Sequence, residues 1–303
     1  MNVFLYVLTQ NILPIMLVAS FGYLLRKQFD LHIGTLSSVV FNVLSPCLVF
    51  ASLANSQLPG DELVELVGFS ALNILAMGAL ALILARLLRL ERVELATFLI
   101  VVMFVNGGNY GLTLLHLRYG DAGLSRGVGY YVTSTILVYT LGVVIASMGR
   151  VSWRDTLKRI VRLPAVYAAI LAIVVYSFRI PIPTPLMSGI TIAGNGAIPV
   201  MLLVLGMQFA DMRPNDGGHY VWPAIGLRLI GGPLLGVGIA TVLGLQGIGR
   251  SAMIIESAMP TAVINLILAS EFGLPTSSVA RIVVLSTLAS PLTIAATITL
   301  LGL

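Results

Sequence analysis

Residues 101–111 read VVMFVNGGNYG, and residues 254–265 read IIESAMPTAVIN. Both stretches lie inside apolar runs that are long enough to cross a bilayer as helices. The glycines of the first stretch and Pro260 of the second interrupt such a helix, because glycine favours other conformations and proline lacks an N–H donor. An interrupted backbone is tolerated at membrane depth only where it is buried in protein or lines a cavity. The two stretches therefore predict a membrane protein whose binding site is built from two broken helices.

The composition excludes several classes of protein. Of the 303 residues, 58% are apolar and 10% are charged, whereas soluble domains carry about 25% charged residues. The mean hydropathy is +1.01. We therefore expect neither a soluble enzyme, a disordered chain nor a nucleic-acid binder, although the net charge is +5. The chain carries no nucleotide-binding, metalloprotease or hydrolase motif, so we predict no enzymatic activity and no cofactor.

The pattern of apolar runs predicts an all-α integral membrane protein with ten transmembrane helices. A spanning helix takes about 20 mostly apolar residues, and the runs lack the period-two alternation of barrel strands. The predicted spans cover roughly residues 4–25, 33–54, 64–87, 94–117, 125–148, 164–180, 184–209, 220–243, 250–270 and 279–302.

The basic residues indicate how the chain is oriented, because Lys and Arg concentrate in cytoplasmic loops. Twelve of the 17 fall in or near the loops that follow odd-numbered spans, against four on the opposite side. We therefore expect a multi-pass protein of the cell (inner) membrane. Both termini would lie outside, and the basic central loop at 149–163 would be cytoplasmic.

The two halves of the chain match weakly when one is shifted by 153 residues. Asn42 and Pro46 then fall on Asn195 and Pro199, and these residues mark helix kinks that either shape a scaffold or contact substrate. Because each half holds an odd number of spans, the second half must enter the membrane from the opposite side, as in transporters with inverted repeats. The predicted units are a five-helix repeat at 1–148, the basic loop at 149–163 and a second five-helix repeat at 164–303.

The two interruptions form the predicted substrate site. Interrupted helices at matching positions of two repeats are the best sequence indication of a transporter site. The N-terminal ends of half-helices present unpaired N–H groups and positive dipole ends to an anion. The candidate substrate-binding residues are Asn106, Gly107, Gly108, Asn109, Pro260, Thr261 and Asn265.

Two ionisable residues, Arg228 and Glu256, fall inside predicted spans, where charges are expensive and usually functional. Glu256 is predicted to bind a coupling proton or Na⁺, or else to pair with a donor, and no other metal site is expected. Ser134 and Thr135 would complete an ion site unless their hydroxyls bond to their own helix. Arg228 would attract an anionic substrate, extend to the interface or pair with Glu256, whose backbone lies about 9 Å away in depth.

Three stretches resemble one known family: NVLSPCLVFASL at 42–53, FVNGGNYGL at 104–112 and ESAMPTAVINLILASEFG at 256–273. With the span count and the basic central loop, they resemble the auxin efflux carrier family, which includes the plant PIN proteins and bacterial permeases. By this resemblance Asn106 matches the asparagine that faces the substrate carboxylate, and Pro260 matches the proline of the ninth span. Pro260 also stands where related sodium symporters have a glutamine, which leaves one ion, a proton or no coupling open.

The resemblance implies a fold similar to that of bile-acid/sodium symporters. Spans 1, 2, 6 and 7 would form a scaffold, and spans 3–5 and 8–10 would form a transport domain with crossing broken helices. It also implies elevator-type motion and a homodimer through the scaffold. The family's substrates are small organic anions such as auxin, malate or malonate.

We therefore expect a secondary active or facilitative transporter of a small organic anion that sits in the lipid bilayer and binds no nucleic acid. An alternative on the same fold is a sodium-coupled symporter of bile-acid-like amphipathic anions. Another is a membrane receptor or sensor that binds without transporting. The substrate, the direction of transport and the choice between Na⁺, H⁺ and no coupling ion do not follow from the sequence.

Overall fold

The part of the chain that the structure describes is predominantly helical, which confirms the all-α prediction. In that part the one strand-like feature is an isolated antiparallel bridge between Val105 and Thr261. Apart from Leu163, the predicted basic loop lies outside the described residues. The computed structural model describes residues 2–55, 59–148, 163–212 and 218–303.

The helices are named here in chain order. They are α1 (Val3–Gln28), α2 (Ile33–Ala54), α3 (Gly60–Leu87), α4 (Arg92–Met103), α5 (Gly107–Ala146), α6 (Pro164–Ser177), α7 (Thr184–Asp211), α8 (Val221–Val242), α9 (Gly247–Ser257), α10 (Ile264–Phe272) and α11 (Thr276–Leu301). Among the described residues, seven of these helices are long and apolar enough to cross a membrane: α1, α2, α3, α5, α7, α8 and α11.

The fourth and ninth predicted spans are each divided in two. α4 ends at Met103 and α5 begins at Gly107, while α9 ends at Ser257 and α10 begins at Ile264. Both interruptions therefore occur where glycine, asparagine and proline predict them. The structure brings them side by side, with Val105 bridged to Thr261.

The fourth and fifth predicted spans meet at a kink rather than at a loop. α5 covers 40 residues in all, but it consists of two helices that meet at Gly120, whose φ of 60° and ψ of −149° are not helical. The chain turns back there, so that a Cβ added to Gly123 would lie 2.7 Å from Leu115 O. Glycine reaches this backbone region at little steric cost, which explains the residue at this point. The count of ten spans stays a prediction, because α4, α6, α9 and α10 are each shorter than a full crossing.

The helices pack in two neighbourhoods. α1 lies along the second half of α7, and α2 packs against α6 and α7. α3, α5, α8 and α9 pack on one another, with α4 against α3. At one end of the α1–α7 pair, Arg26 Nε donates to both carboxylate oxygens of Asp211 at 3.0 Å.

Glycines let α1 and α7 approach closely. A Cβ added to Gly206 would collide with the carbonyl of Ala19, and one added to Gly22 would collide with the carbonyl of Leu203. Small residues allow such close backbone approach between membrane helices, where dispersion contacts provide much of the attraction. The α1–α7 contact therefore depends on the absence of side chains at these two positions.

We predict that Gly206→Ala destabilises the protein by about 1–3 kcal/mol, because the new methyl group overpacks the α1–α7 contact. The measurement is the melting temperature of the purified protein in detergent. Gly189→Ala in the same helix is the matched control, since a Cβ there meets no atom within 4 Å. Equal melting temperatures for the two variants would contradict this account of the packing.

Candidate functional site

The two interruptions pair with each other through their backbones. Asn106 N donates to Pro260 O at 2.8 Å, and Ala262 N donates to Phe104 O at 3.0 Å. These bonds flank the isolated bridge and hold two short extended segments antiparallel. Each interruption therefore satisfies polar groups of the other that a continuous helix would have paired internally, as burial away from water requires.

Side chains of the second interruption complete this pairing. Thr261 Oγ1 donates to Val101 O at 2.9 Å, and Asn265 Nδ2 donates to Phe104 O at 3.1 Å. Pro260, Thr261 and Asn265 were predicted to contact substrate. They lie buried in the crossing and do not belong to the described lining of the cavity reported below. The geometry gives Thr261 and Asn265 a role in holding the first interruption.

Arg228 connects the C-terminal ends of α4 and α9, the helices that precede the two interruptions. Its side chain is fully buried. Nη1 donates to Val102 O at 2.8 Å, and Nη2 donates to Ser257 O. In a continuous helix Val102 O would accept from Asn106 N, but that group is bonded to Pro260 O instead. Because the side chain is buried, it does not extend to the membrane interface, which was one role considered from the sequence. It does not pair with Glu256 either, since no ion pair of Arg228 occurs among the described residues.

Glu256 occupies a cradle of glycines on α5. Its side chain is fully buried, and neither carboxyl oxygen has a hydrogen-bond partner among the described residues. A Cβ added to Gly107 would lie 2.7 Å from Oε2, one on Gly127 would lie 3.3 Å from Oε1, and one on Gly111 would collide with the carboxyl group. The three glycines therefore make the space that this carboxyl group fills.

A cavity of about 410 Å³ opens beside the crossing, which is within the usual range of roughly 300–1,000 Å³ for small-molecule sites. Its walls come from α2, α5, α7, α10 and the two interruptions. No Asp, Glu, Lys, Arg or His belongs to the described lining, so neither Glu256 nor Arg228 faces it. Amides, hydroxyls, apolar side chains and backbone groups form its surface.

The N-terminal end of α5 opens onto this cavity. Asn106, Gly107, Gly108 and Asn109 all line it. The N–H groups of the first turn of a helix have no partner within the helix, and they carry the positive end of its dipole. Asn106 is 5% exposed, and its Nδ2 has no hydrogen-bond partner among the described residues. These groups together form an arrangement that binds anions.

The other predicted residues divide between the cavity and its surroundings. Ser134 and Thr135 line the cavity, as does Asn42. The Thr135 hydroxyl donates to Tyr131 O within its own helix at 2.7 Å. This is the alternative to an ion site that the sequence left open. Ser134 and Thr135 lie on the cavity wall, whereas the buried Glu256 does not. The kink residues outside the lining are Pro46, Asn195 and Pro199.

Comparison with known proteins identifies the family. The sequence profile described as membrane transport protein matches residues 7–152 and 147–298. The chain belongs to this family, that of the auxin efflux carriers. It is therefore a multi-pass membrane transporter and not an enzyme. Among the described residues there is also no group of three or more His, Cys, Asp or Glu that could hold a metal ion.

Two relatives match this chain over most of its length, and a third matches less than half of it. A protein named as an uncharacterized transporter of Methanothermobacter thermautotrophicus is 28% identical over 296 residues, covering 93% of this chain and 94% of the relative. Another so named, from Methanocaldococcus jannaschii, is 22% identical and covers 94% of each chain. Auxin efflux carrier component 6 of Arabidopsis thaliana is 26% identical over 145 residues, which is 45% of this chain and 25% of the plant protein.

Two cavity features of this membrane transport protein were not predicted from its sequence. Gln208 of α7 lines the cavity, and its Oε1 has no hydrogen-bond partner among the described residues. Tyr131 of α5 also lines the cavity, and its hydroxyl lies 2.8 Å from Ser45 Oγ. A lone glutamine in the apolar seventh span was the available signal for the first feature. The contact between Tyr131 and Ser45 depends on which helices become neighbours, which no local sequence signal shows.

We predict that Gly111→Ala destabilises the transporter because the methyl group collides with the Glu256 carboxyl group. In a Glu256→Ala background the same substitution meets a vacated space, so its effect on stability becomes smaller by about 1 kcal/mol or more. The measurement is a double-mutant cycle of melting temperatures. Gly129→Ala, beyond Gly120 in α5, is the control, since the nearest atom to a Cβ there is 3.7 Å away. Strict additivity would contradict the proposed contact.

Proposed function

We propose that this protein is a secondary transporter of a small organic anion, and that the anion binds at the N-terminal end of α5. The proposal includes the ten-span, five-plus-five inverted arrangement, with both termini outside the cell membrane and the central loop in the cytoplasm. It also includes a homodimer formed through α1, α2, α6 and α7. Membership of a transporter family supports the general class.

The observation that carries the proposal is the composition of the cavity wall at the crossing. Asn106, Gly107, Gly108 and Asn109 supply amide and backbone N–H donors there, and α5 directs the positive end of its dipole to the same point. A carboxylate accepts several such bonds at once. Phe41, among other apolar lining residues, can contact the remainder of the molecule.

The absence of charged side chains from the described lining favours a substrate with one negative charge. A dicarboxylate such as malonate would bring a second charge into a site with one N-terminal helix end to balance it, and an unpaired buried charge is strongly unfavourable. We therefore propose a monocarboxylate with an apolar or aromatic body as the preferred substrate class.

An elevator-type exchange of access suits the position of the cavity. α2 and α7 supply one side of its wall, while α5 and α10 supply the other. The crossing ties α4, α5, α9 and α10 to one another through buried backbone bonds, which favours their movement as one body. In the proposed cycle this body carries the anion past α2 and α7, which remain in place.

Glu256 is the proposed binding group for a coupling cation, either Na⁺ or H⁺. Its carboxyl group lies behind Gly107 and Gly111, on the side of the α5 N-terminus that the cavity does not reach. Occupancy of this carboxyl group by a cation would change the charge beside the α5 N-terminus and thereby the affinity for an anion there. That electrostatic link is the proposed basis of coupling.

We predict that Asn106→Ala raises the half-saturating substrate concentration about tenfold or more, because a hydrogen bond to a charged group is lost. The measurement is the current evoked in proteoliposomes on a solid-supported membrane by a panel of monocarboxylates, dicarboxylates and indole acids. Asn195→Ala is the control, because it removes an asparagine of α7 that lies outside the described cavity lining.

The panel also tests the substrate class. We expect monocarboxylates to evoke larger currents than dicarboxylates of similar size. Equal effects of Asn106→Ala and Asn195→Ala would place the binding site elsewhere. Binding of a panel compound, detected by thermal shift, without any flux under any gradient would favour the receptor alternative.

We predict that Glu256→Gln abolishes uptake driven by a Na⁺ or pH gradient while leaving the protein folded. Glutamine has nearly the same shape as glutamate, but it neither releases a proton nor supplies a negative charge to a cation. The measurement is concentrative uptake into proteoliposomes, with the melting temperature as the control for folding. Unchanged concentrative uptake would refute the coupling role.

A further inference from the structure

The guanidinium group of Arg228 lies where the C-terminal ends of α4 and α9 converge. It donates to Val102 O and to Ser257 O, one carbonyl from the last turn of each helix. The last carbonyls of a helix lack partners within it, and they carry the negative end of its dipole. Two such ends meeting in a buried position form a site that attracts a cation, and unwound or C-terminal carbonyls bind cations in other transporters.

No carboxylate among the described residues forms an ion pair with this guanidinium. The Arg228 side chain is fully buried, and its Nε has no hydrogen-bond partner in the same part of the chain. A buried charge without a counter-ion is unfavourable unless other groups compensate for the lost water. Here the compensating groups are backbone carbonyls, which are the ligands that a small monovalent cation would use.

The sequence around Arg228 builds this site. Residues 227–236 read LRLIGGPLLG. A Cβ added to Gly232 would collide with Nη2 of Arg228 and lie 2.5 Å from Ser257 O, and one added to Gly236 would collide with the Ser257 side chain. The glycines therefore let α8 approach the end of α9 closely enough for the guanidinium to reach both carbonyls.

We propose that Arg228 is a tethered cation. It permanently fills a carbonyl site that would otherwise bind a monovalent cation from solution, and it confines any exchangeable coupling ion of this transporter to Glu256. The inference goes beyond the proposed function, because it depends on the crossing and not on the identity of the substrate.

The test is to remove the tethered charge and to offer a cation from solution. Arg228→Ala leaves both the carbonyls and a vacant space. We expect its melting temperature, measured without substrate, to rise by about 5 °C when millimolar guanidinium chloride replaces choline chloride, since a bound ligand stabilises the folded state. NaCl is the second probe, and we expect it to act in the same direction. The wild-type protein should respond to neither salt at this site.

Three controls isolate the site. Arg228→Met fills the space without a charge, so we expect it to be destabilised and to show no cation response. Arg228→Lys keeps the charge, so we expect it to be more stable than Arg228→Met and also unresponsive. Repeating the series in a Glu256→Gln background removes any response that arises from cation binding at that carboxyl group.

The proposal is overturned if Arg228→Ala responds no more to guanidinium and sodium than the wild-type protein does. If Arg228→Ala cannot be purified, the melting temperatures of Arg228→Lys and Arg228→Met decide. Equal stability of these two variants overturns the proposal. Because every readout is made without substrate, a negative result here leaves the proposed transport function untouched. A failure of the transport assay likewise leaves this result standing.

Discussion

A backbone group that leaves its helix at membrane depth has no water to bond to, and the centre of this structure depends on that constraint. The interruption after Met103 and the one after Ser257 would each leave carbonyls and N–H groups unpaired if they lay apart. They are paired because they lie together. Backbone bonds, a threonine hydroxyl, an asparagine amide and a guanidinium group satisfy the carbonyls that the helices release. The cavity exists beside the crossing because this pairing leaves the N-terminal end of α5 uncovered.

The same helix ends account for the positions of the two buried charged side chains. Arg228 lies at the C-terminal ends of α4 and α9, while the carboxyl group of Glu256 lies against the first turns of α5. Positive charge is favourable at a helix C-terminus and negative charge at an N-terminus. Each of the two side chains therefore lies beside a helix end of opposite sign, while Glu256 itself belongs to the last turn of α9.

The sequence predicts the positions of the interruptions well, because glycine and proline act locally on the backbone. It also predicts that Asn106, Gly107, Gly108 and Asn109 meet at a cavity. It does not predict that Thr261 and Asn265 would bond to backbone groups of α4 and its following segment, since the partner of a buried polar group depends on which helices become neighbours. The contribution of Arg228 depends in the same way on the glycines that bring α8 against α9. The turn at Gly120 shows how a single positive-φ glycine can join two predicted spans without a longer loop.

The uncharged lining of the cavity has a consequence for energetics across the membrane. A site whose described lining contributes no formal charge takes on the charge of what it carries. With a monoanion bound, Glu256 ionised and no coupling cation on it, the proposed moving body would carry one net negative charge through the transmembrane field, which amounts to about 2.3 kcal/mol per 100 mV for a full crossing. The resting potential of a cell, negative inside, would then favour the outward step of the loaded carrier over the inward one.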